Sequence, residues 1–186
     1  VSSSAGSIPG NNIFDDGAGN TTQLGWGVIE TALDANNVTI TTLSSSGTND
    51  GDIKIQDSNT FNSGNDLTLL AHEAVRIDQN VAVVNEGLGD FEFWGGWNGD
   101  VPHPGFNNSI TDANMGRMNF RADSQLKTGG DINLYARNKF EAFSGFKMEA
   151  DNITVVTDRY VADTSSNNAA SFKANGEVAI HRNRTG

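Results

Sequence analysis

Two short stretches, Asn49-Asp50-Gly51-Asp52 and Asp15-Asp16-Gly17, set hard oxygen ligands around a glycine that lets the backbone turn. An oxygen-ligated calcium loop needs that combination. No cofactor is required by any motif, and calcium is the candidate ion, with Asp50 and Asp52 ahead of Asp15 and Asp16. The bland reading is that Asp and Asn favour turns for their own sake, and neither stretch has the spacing of an EF-hand or a nonapeptide calcium repeat. A second cluster, Trp94, Trp97, His103 and Phe106, carries flat aromatic surfaces that stack on sugar rings or anchor in a protein partner. The same four residues would serve equally to pack an inserted loop against its own base.

Catalytic constellations do not stand out. His72, His103 and His181 lie far apart and outside any HExxH or GxSxG context, the spacings that give such residues a mechanism. Arg117, Arg121 and Arg137 with Asp123 and Asp131 could line the groove of a polysaccharide lyase or hydrolase, which is the enzymatic alternative. Basic and acidic groups on strand faces are more often simply solvated, so the leading reading is non-enzymatic.

The elements that must position these groups follow from composition. The chain has 186 residues, 21 Gly, 3 Pro and no Cys, enough for one sizeable domain and too little for two of ordinary size. Without cysteine, disulfide frameworks, thiolate zinc sites and cysteine nucleophiles are excluded, while export stays compatible because a large β fold needs no covalent staple. No run is long and apolar enough for a membrane-spanning helix. A formal net charge of −11 argues against nucleic acid, whose phosphates would be repelled. Residues 1–100 hold 14 acidic and 2 basic groups, net −12, and residues 101–186 hold 9 and 10, net +1. The acidity therefore belongs to the first half.

Residues 1–23 are polar and Gly/Asn-rich and read as a flexible amino-terminal arm or linker. Residues 24–186 read as a single domain, with one short helix over 29–33 ended by Asp34 and Asn36-Asn37. Alternating runs then recur: Val38/Ile40, Ile53/Ile55, Leu67/Leu69, Val75/Ile77, Phe91/Phe93, Met118/Phe120, Ile132/Leu134, Ile153/Val155 and Val178/Ile180. Such a period of two buries one face and leaves Lys54 and Thr68 on the other. The onsets Val38, Ile53, Leu67, Val75 and Phe91 are 15, 14, 8 and 16 residues apart, and Gly51-Asp52, Gly89-Asp90 and Gly130-Asp131 each sit directly before a strand. This alternation of short and long spacings predicts an all-β chain folded as a right-handed parallel β-solenoid, or β-helix, with an inserted loop at 94–114. An antiparallel β-sandwich or jelly roll is the alternative, less favoured because it would space its strands more evenly, at about 8 to 12 residues, and because the Gly-Asp dipeptides look like corners of a coil rather than two-residue hairpin loops.

The run Thr31-Ala32-Leu33-Asp34-Ala35-Asn36-Asn37-Val38-Thr39-Ile40-Thr41-Thr42, followed by Gly51-Asp52-Ile53-Lys54-Ile55, Leu67-Thr68-Leu69-Leu70-Ala71 and Val75-Arg76-Ile77, resembles the β-helical repeat region of filamentous-haemagglutinin-like exoproteins exported by two-partner secretion. The likeness covers roughly residues 25–96, and Gly130-Asp131-Ile132-Asn133-Leu134 repeats it more weakly. It implies a secreted or cell-surface bacterial protein acting in adhesion, a segment or subunit of a surface adhesin or filament that presents loops to a glycan or a protein. The alternative within the same class is an extracellular fibre subunit whose partner is itself, stacking head to tail or by strand addition.

Overall fold

Alternation along the strands, the one helix among the described residues and a row of stacked carboxyl and amide side chains together set the architecture. The computed structural model describes residues 13–15, 23–42, 51–99, 104–106, 115–164 and 168–183. Within the amino-terminal arm, Ile13–Asp15 forms strand β1, while the rest of the arm except Gln23 lies outside the described residues. Helix α1 (Trp26–Leu33) follows, with Trp26, Ile29 and Leu33 buried. Those three lie on one helical face. The Trp26 indole N–H donates to the Asp57 carbonyl at 2.9 Å and its ring stacks on Phe61 at 6.1 Å between centroids, so α1 covers one end of the core.

Fourteen further strands follow among the described residues: β2 (Val38–Thr41), β3 (Ile53–Ile55), β4 (Asn59–Phe61), β5 (Leu67–Ala71), β6 (Ala74–Ile77), β7 (Ala82–Asn85), β8 (Phe91–Gly95), β9 (Arg117–Phe120), β10 (Gln125–Lys127), β11 (Ile132–Ala142), β12 (Lys147–Ala150), β13 (Ile153–Ala162), β14 (Ser171–Ala174) and β15 (Val178–Arg182). Strands β4, β7, β10, β12 and β14 make a five-stranded sheet, and the others a ten-stranded one. The large sheet forks at β11. Residues Ile132 to Ala136 of β11 pair with β8, and Lys139 to Ala142 pair with β9 after a register shift.

The inward residues stack in rows. Val38, Leu67, Phe91, Ile132 and Ile153 are in register across β2, β5, β8, β11 and β13, as are Ile40, Leu69, Phe93, Leu134 and Val155. Each is buried, and burial of such a side chain contributes about 1.5–3 kcal/mol. A second set, Ile53, Val75, Met118 and Phe140, joins the same core from the other arm of the fork.

Register along the first arm is held by a ladder of side-chain oxygens. The backbone N–H of Asp66 donates to Asn37 Oδ1 (3.0 Å), that of Asp90 to Asp66 Oδ1 (2.9 Å) and that of Asp131 to Asp90 Oδ1 (2.7 Å). Asn152 and Glu177 continue it, their N–H groups donating to Asp131 Oδ1 and Asn152 Oδ1, both at 3.0 Å. A one-residue slip would break every rung and turn the apolar rows outward.

The class expected from spacing, an all-β right-handed parallel β-solenoid with an inserted loop, is corrected by these findings. The described strands form a barrel-like, forked ten-stranded sheet and a second parallel sheet, accompanied by one helix, an α/β-like parallel arrangement. The antiparallel sandwich or jelly roll falls as well, because the pairings between strands are parallel, including β3 with β6. The physical reason lies in what a period of two encodes. It reports that a strand is half-buried, not which sheet position it takes. Gly51-Asp52-Ile53 and Gly130-Asp131-Ile132 look like one repeated unit, yet Ile53 pairs with Val75 and Ile132 with Phe91 and Ile153. Asp131 is a rung of the ladder, whereas Asp52 faces Arg76 at 2.7 Å.

Candidate functional site

The alternation breaks at the same place in the three neighbouring strands β5, β8 and β11, and again at Val156 of β13. Leu67-Thr68-Leu69-Leu70, Phe91-Glu92-Phe93-Trp94 and Ile132-Asn133-Leu134-Tyr135 each end on an apolar group where the pattern asks for a polar one. Leu70, Trp94 and Tyr135 are consequently in register on the face of the large sheet opposite the main core. There they form a second hydrophobic cluster with Trp97 and Phe106. Trp94 lies flat against Tyr135, centroids 4.1 Å apart at 15°, and Phe106 tilts against Trp94 at 5.2 Å. The Trp94 indole N–H donates to Glu92 Oε1 at 2.6 Å. Burial pushes the Tyr135 hydroxyl pKa up from its ordinary value, and the Glu92 carboxylate adds to the rise.

This cluster is the foot of the insertion. The backbone N–H groups of Gly96 and Trp97 both donate to the Ala71 carbonyl, at 3.0 and 2.9 Å. Trp97 forms an antiparallel bridge with Phe106, supported by Asn98 N–H donating to the Gly105 carbonyl at 3.0 Å. The Trp97 ring meets His72 edge-on at 4.9 Å, and the His72 backbone N–H donates to Thr42 Oγ1 at 3.0 Å. Trp94 and Trp97 are 9% and 3% exposed, so both act at the base of the loop. Phe106 is half-buried and His103 lies outside the described residues. Leu70, His72 and Tyr135 belong to the site although spacing did not single them out. The signal for Leu70 and Tyr135 was the broken alternation, and for His72 there was none.

Of the four candidate calcium residues, Asp15 and Asp52 are described. Asp50 and Asp16 lie outside the described residues, and Asp15 is the last residue of β1. The Asp52 carboxylate pairs with the Arg76 guanidinium at 2.7 Å. Among the described residues no group of three or more His, Asp or Glu side chains could hold a metal ion.

The candidate lyase residues have separate engagements. Arg137 pairs with Asp158 at 2.6 Å, Arg121 lies 5.3 Å over the Phe143 ring, Asp123 accepts from the Asn168 amide at 2.9 Å, and Asp131 is in the ladder. Within that ladder, Asp66, Asp90 and Asp131 are adjacent carboxylates. Burial raises the pKa of Asp90, the Asp131 N–H opposes the rise, and the charges of Asp66 and Asp131 reinforce it.

An open concavity of about 400 Å³ lies on the five-stranded sheet and is lined by Asn85, Lys127, Thr128, Glu149, Lys173 and Asn175 among others. Lys127, Glu149 and Lys173 are consecutive in register across β10, β12 and β14. Lys127 Nζ stands 3.6 Å from Glu149, so the row offsets much of its own charge. Asn85 closes the inner wall, accepting from the N–H groups of Ser63 and Gly87 and donating to the Ser63 and Gly89 carbonyls.

No family model matches the chain, and neither a curated protein nor a solved structure matches it. No helix among the described residues is long and apolar enough to cross a membrane.

Proposed function

We propose that this chain is a non-enzymatic scaffold of the bacterial cell exterior, a segment or subunit of an adhesin or filament that presents the 94–114 insertion to a glycan or protein and also associates with itself. The observation that carries the reading is the footing of the insertion. Two buried tryptophans, a bridge to Phe106 and two hydrogen bonds to Ala71 root the loop on a sheet whose rows are packed from both faces. A loop anchored at its base has fewer residues left to order when it binds, which lowers the entropy lost. The resemblance of the 25–96 repeats to two-partner-secretion exoproteins, the absence of cysteine and the acidic first half support the same assignment.

The test keeps the foot and removes the tip. Residues 100–103 and 107–114 are replaced by Gly/Ser, leaving Trp94, Trp97 and Phe106 in place, and both proteins are screened on a glycan array and on immobilised extracellular-matrix proteins. Binding by the unaltered chain that disappears in the variant is the expected result. A blank screen, or equal binding by both, would refute the assignment.

A further inference from the structure

The two ends of the large sheet are built differently. At the start of the chain α1 lies over the core, with Trp26, Ile29 and Leu33 buried. At the other end the inward rows run out onto β15. Val178 is in register with Ile153 and Ile180 with Val155, yet Val178 and Ile180 are 42% and 45% exposed while Ile153 and Val155 are fully buried. Among the described residues β15 pairs on one side alone, with β13, and β1 on one side alone, with β2. An edge that extends an apolar row is a template for another strand.

We propose that the strand which completes β15 is β1 of a second copy of this chain, added in parallel and head to tail. Direction is the first argument. Both strands are parallel to their neighbours in the same sheet and stand at its opposite edges among the described residues, so a copy added at the open edge brings its β1 onto β15 with the same polarity. Register is the second. Phe14 is in register with Ile40, and Ile40 and Ile180 belong to one inward row through Leu69, Phe93, Leu134 and Val155. Continuing that register pairs Phe14 of the incoming copy with Ile180.

Charge is the third. The open end exposes Lys173, His181 and Arg182, with Glu177 as its acid, and the first hundred residues carry a net charge of −12. A two-fold dimer through β15 would set Lys173 and Arg182 near their own copies, whereas head-to-tail addition sets them near acidic surface. A heterologous contact of this kind does not close, so it grows into a linear series. The proposal rests on the scaffold reading and names its self-partner surface.

Because the chain has no cysteine, cross-linking reads this directly. Neighbouring parallel strands put paired Cα atoms about 4.8 Å apart, within the roughly 4.4–6.8 Å range of a disulfide. The double variant Phe14→Cys/Ile180→Cys, oxidised at high protein concentration, should give a ladder of covalent oligomers on a non-reducing gel, and an equimolar mixture of the two single variants should stop at dimer. Ile180→Lys, and separately Val178→Lys, should abolish the concentration-dependent oligomers that sedimentation velocity detects for the unaltered chain. Both positions are already exposed, so circular dichroism should stay unchanged.

An unaltered chain that sediments as a monomer at every concentration would overturn the proposal. So would a dimer cross-linked by Ile180→Cys alone, which would signify a two-fold contact. Failure here leaves ligand capture by the insertion standing, and a blank ligand screen leaves this association standing, so the two readings fail separately.

Discussion

Replacing Asp90 by Asn should stabilise the protein at neutral pH. Asp90 sits between Asp66 and Asp131 in the oxygen ladder, accepting the Asp131 N–H and donating its own N–H to Asp66. Burial and those two neighbouring carboxylates raise its pKa. A carboxyl whose folded pKa exceeds its unfolded value supports the fold fully below the unfolded value and loses that support as pH rises through the folded one. At pH 7 Asp90 therefore carries a standing cost.

The ladder also shows what an amide does in such a place. Asn37 Nδ2 donates to Asp66 Oδ2 at 3.0 Å and Asn152 Nδ2 to Asp131 Oδ1 at 2.8 Å. An amide in place of the Asp90 carboxylate would keep the acceptor for Asp131 and add a donor toward a neighbouring carboxylate. With side chains partly open to solvent, relief of repulsion and one new hydrogen bond are together worth about 1 kcal/mol, or roughly 2–4 °C in Tm for a chain of this size.

Thermal melts of the unaltered chain, Asp90→Asn and Asp90→Ala decide the matter. The Asn variant should melt higher at pH 7, and its advantage should shrink in high salt and as pH falls into the carboxylate range. Asp90→Ala removes the acceptor and should melt lower, by about 1–3 kcal/mol of stability. A lower Tm for Asp90→Asn at pH 7 would refute the reasoning, because the charge itself would then be serving the fold.

Three other substitutions have opposed signs. Gly89→Ala should lose at least about 1–3 kcal/mol, since its Cβ would lie 2.0 Å from the Asn65 carbonyl oxygen, a backbone atom that cannot step aside; urea unfolding beside Gly64→Ala, where nothing lies within 4 Å, measures it. Gly27→Ala, also in open space but within α1, should gain about 0.5–1 kcal/mol from helix propensity, read as a higher urea midpoint. Trp94→Ala should cost about 3–5 kcal/mol and loosen the foot of the insertion, read as faster proteolysis within 96–114, while Trp94→Phe recovers most of the loss.

Local structure in this chain follows from residues that act on their immediate neighbours. The period of two at Ile53/Ile55 or Phe91/Phe93 requires a half-buried strand wherever it sits, and Asp34 with Asn36-Asn37 ends a helix by local chemistry. Burial of Ile53, Ile55, Leu67 and Leu69 follows from the same pattern. The helix begins at Trp26, earlier than the 29–33 expected, because Trp26 shares the buried face of Ile29 and Leu33 and is held there by Asp57 and Phe61. Those two partners are distant in sequence.

The candidate site was legible only in part for the same reason. Trp94 and Trp97 attract notice as large aromatics in an irregular stretch, but whether they face a ligand or a floor depends on Leu70, Tyr135 and His72, which arrive from other strands and turns. Asp52 reads as an ion ligand beside Gly51 until Arg76 comes opposite it.

By itself, then, the sequence determined the strand-rich character, the inward residues of those strands, the acidity of the first half and the lack of any thiol chemistry. Only the tertiary structure decided which strands share a sheet, where that sheet forks and which of the Gly-Asp turns feeds the carboxyl ladder. Alternation is a property of one strand and its two faces, whereas sheet membership is a property of pairs of strands whose partner residues lie 20 to 43 positions apart, and no local pattern carries that partner's address.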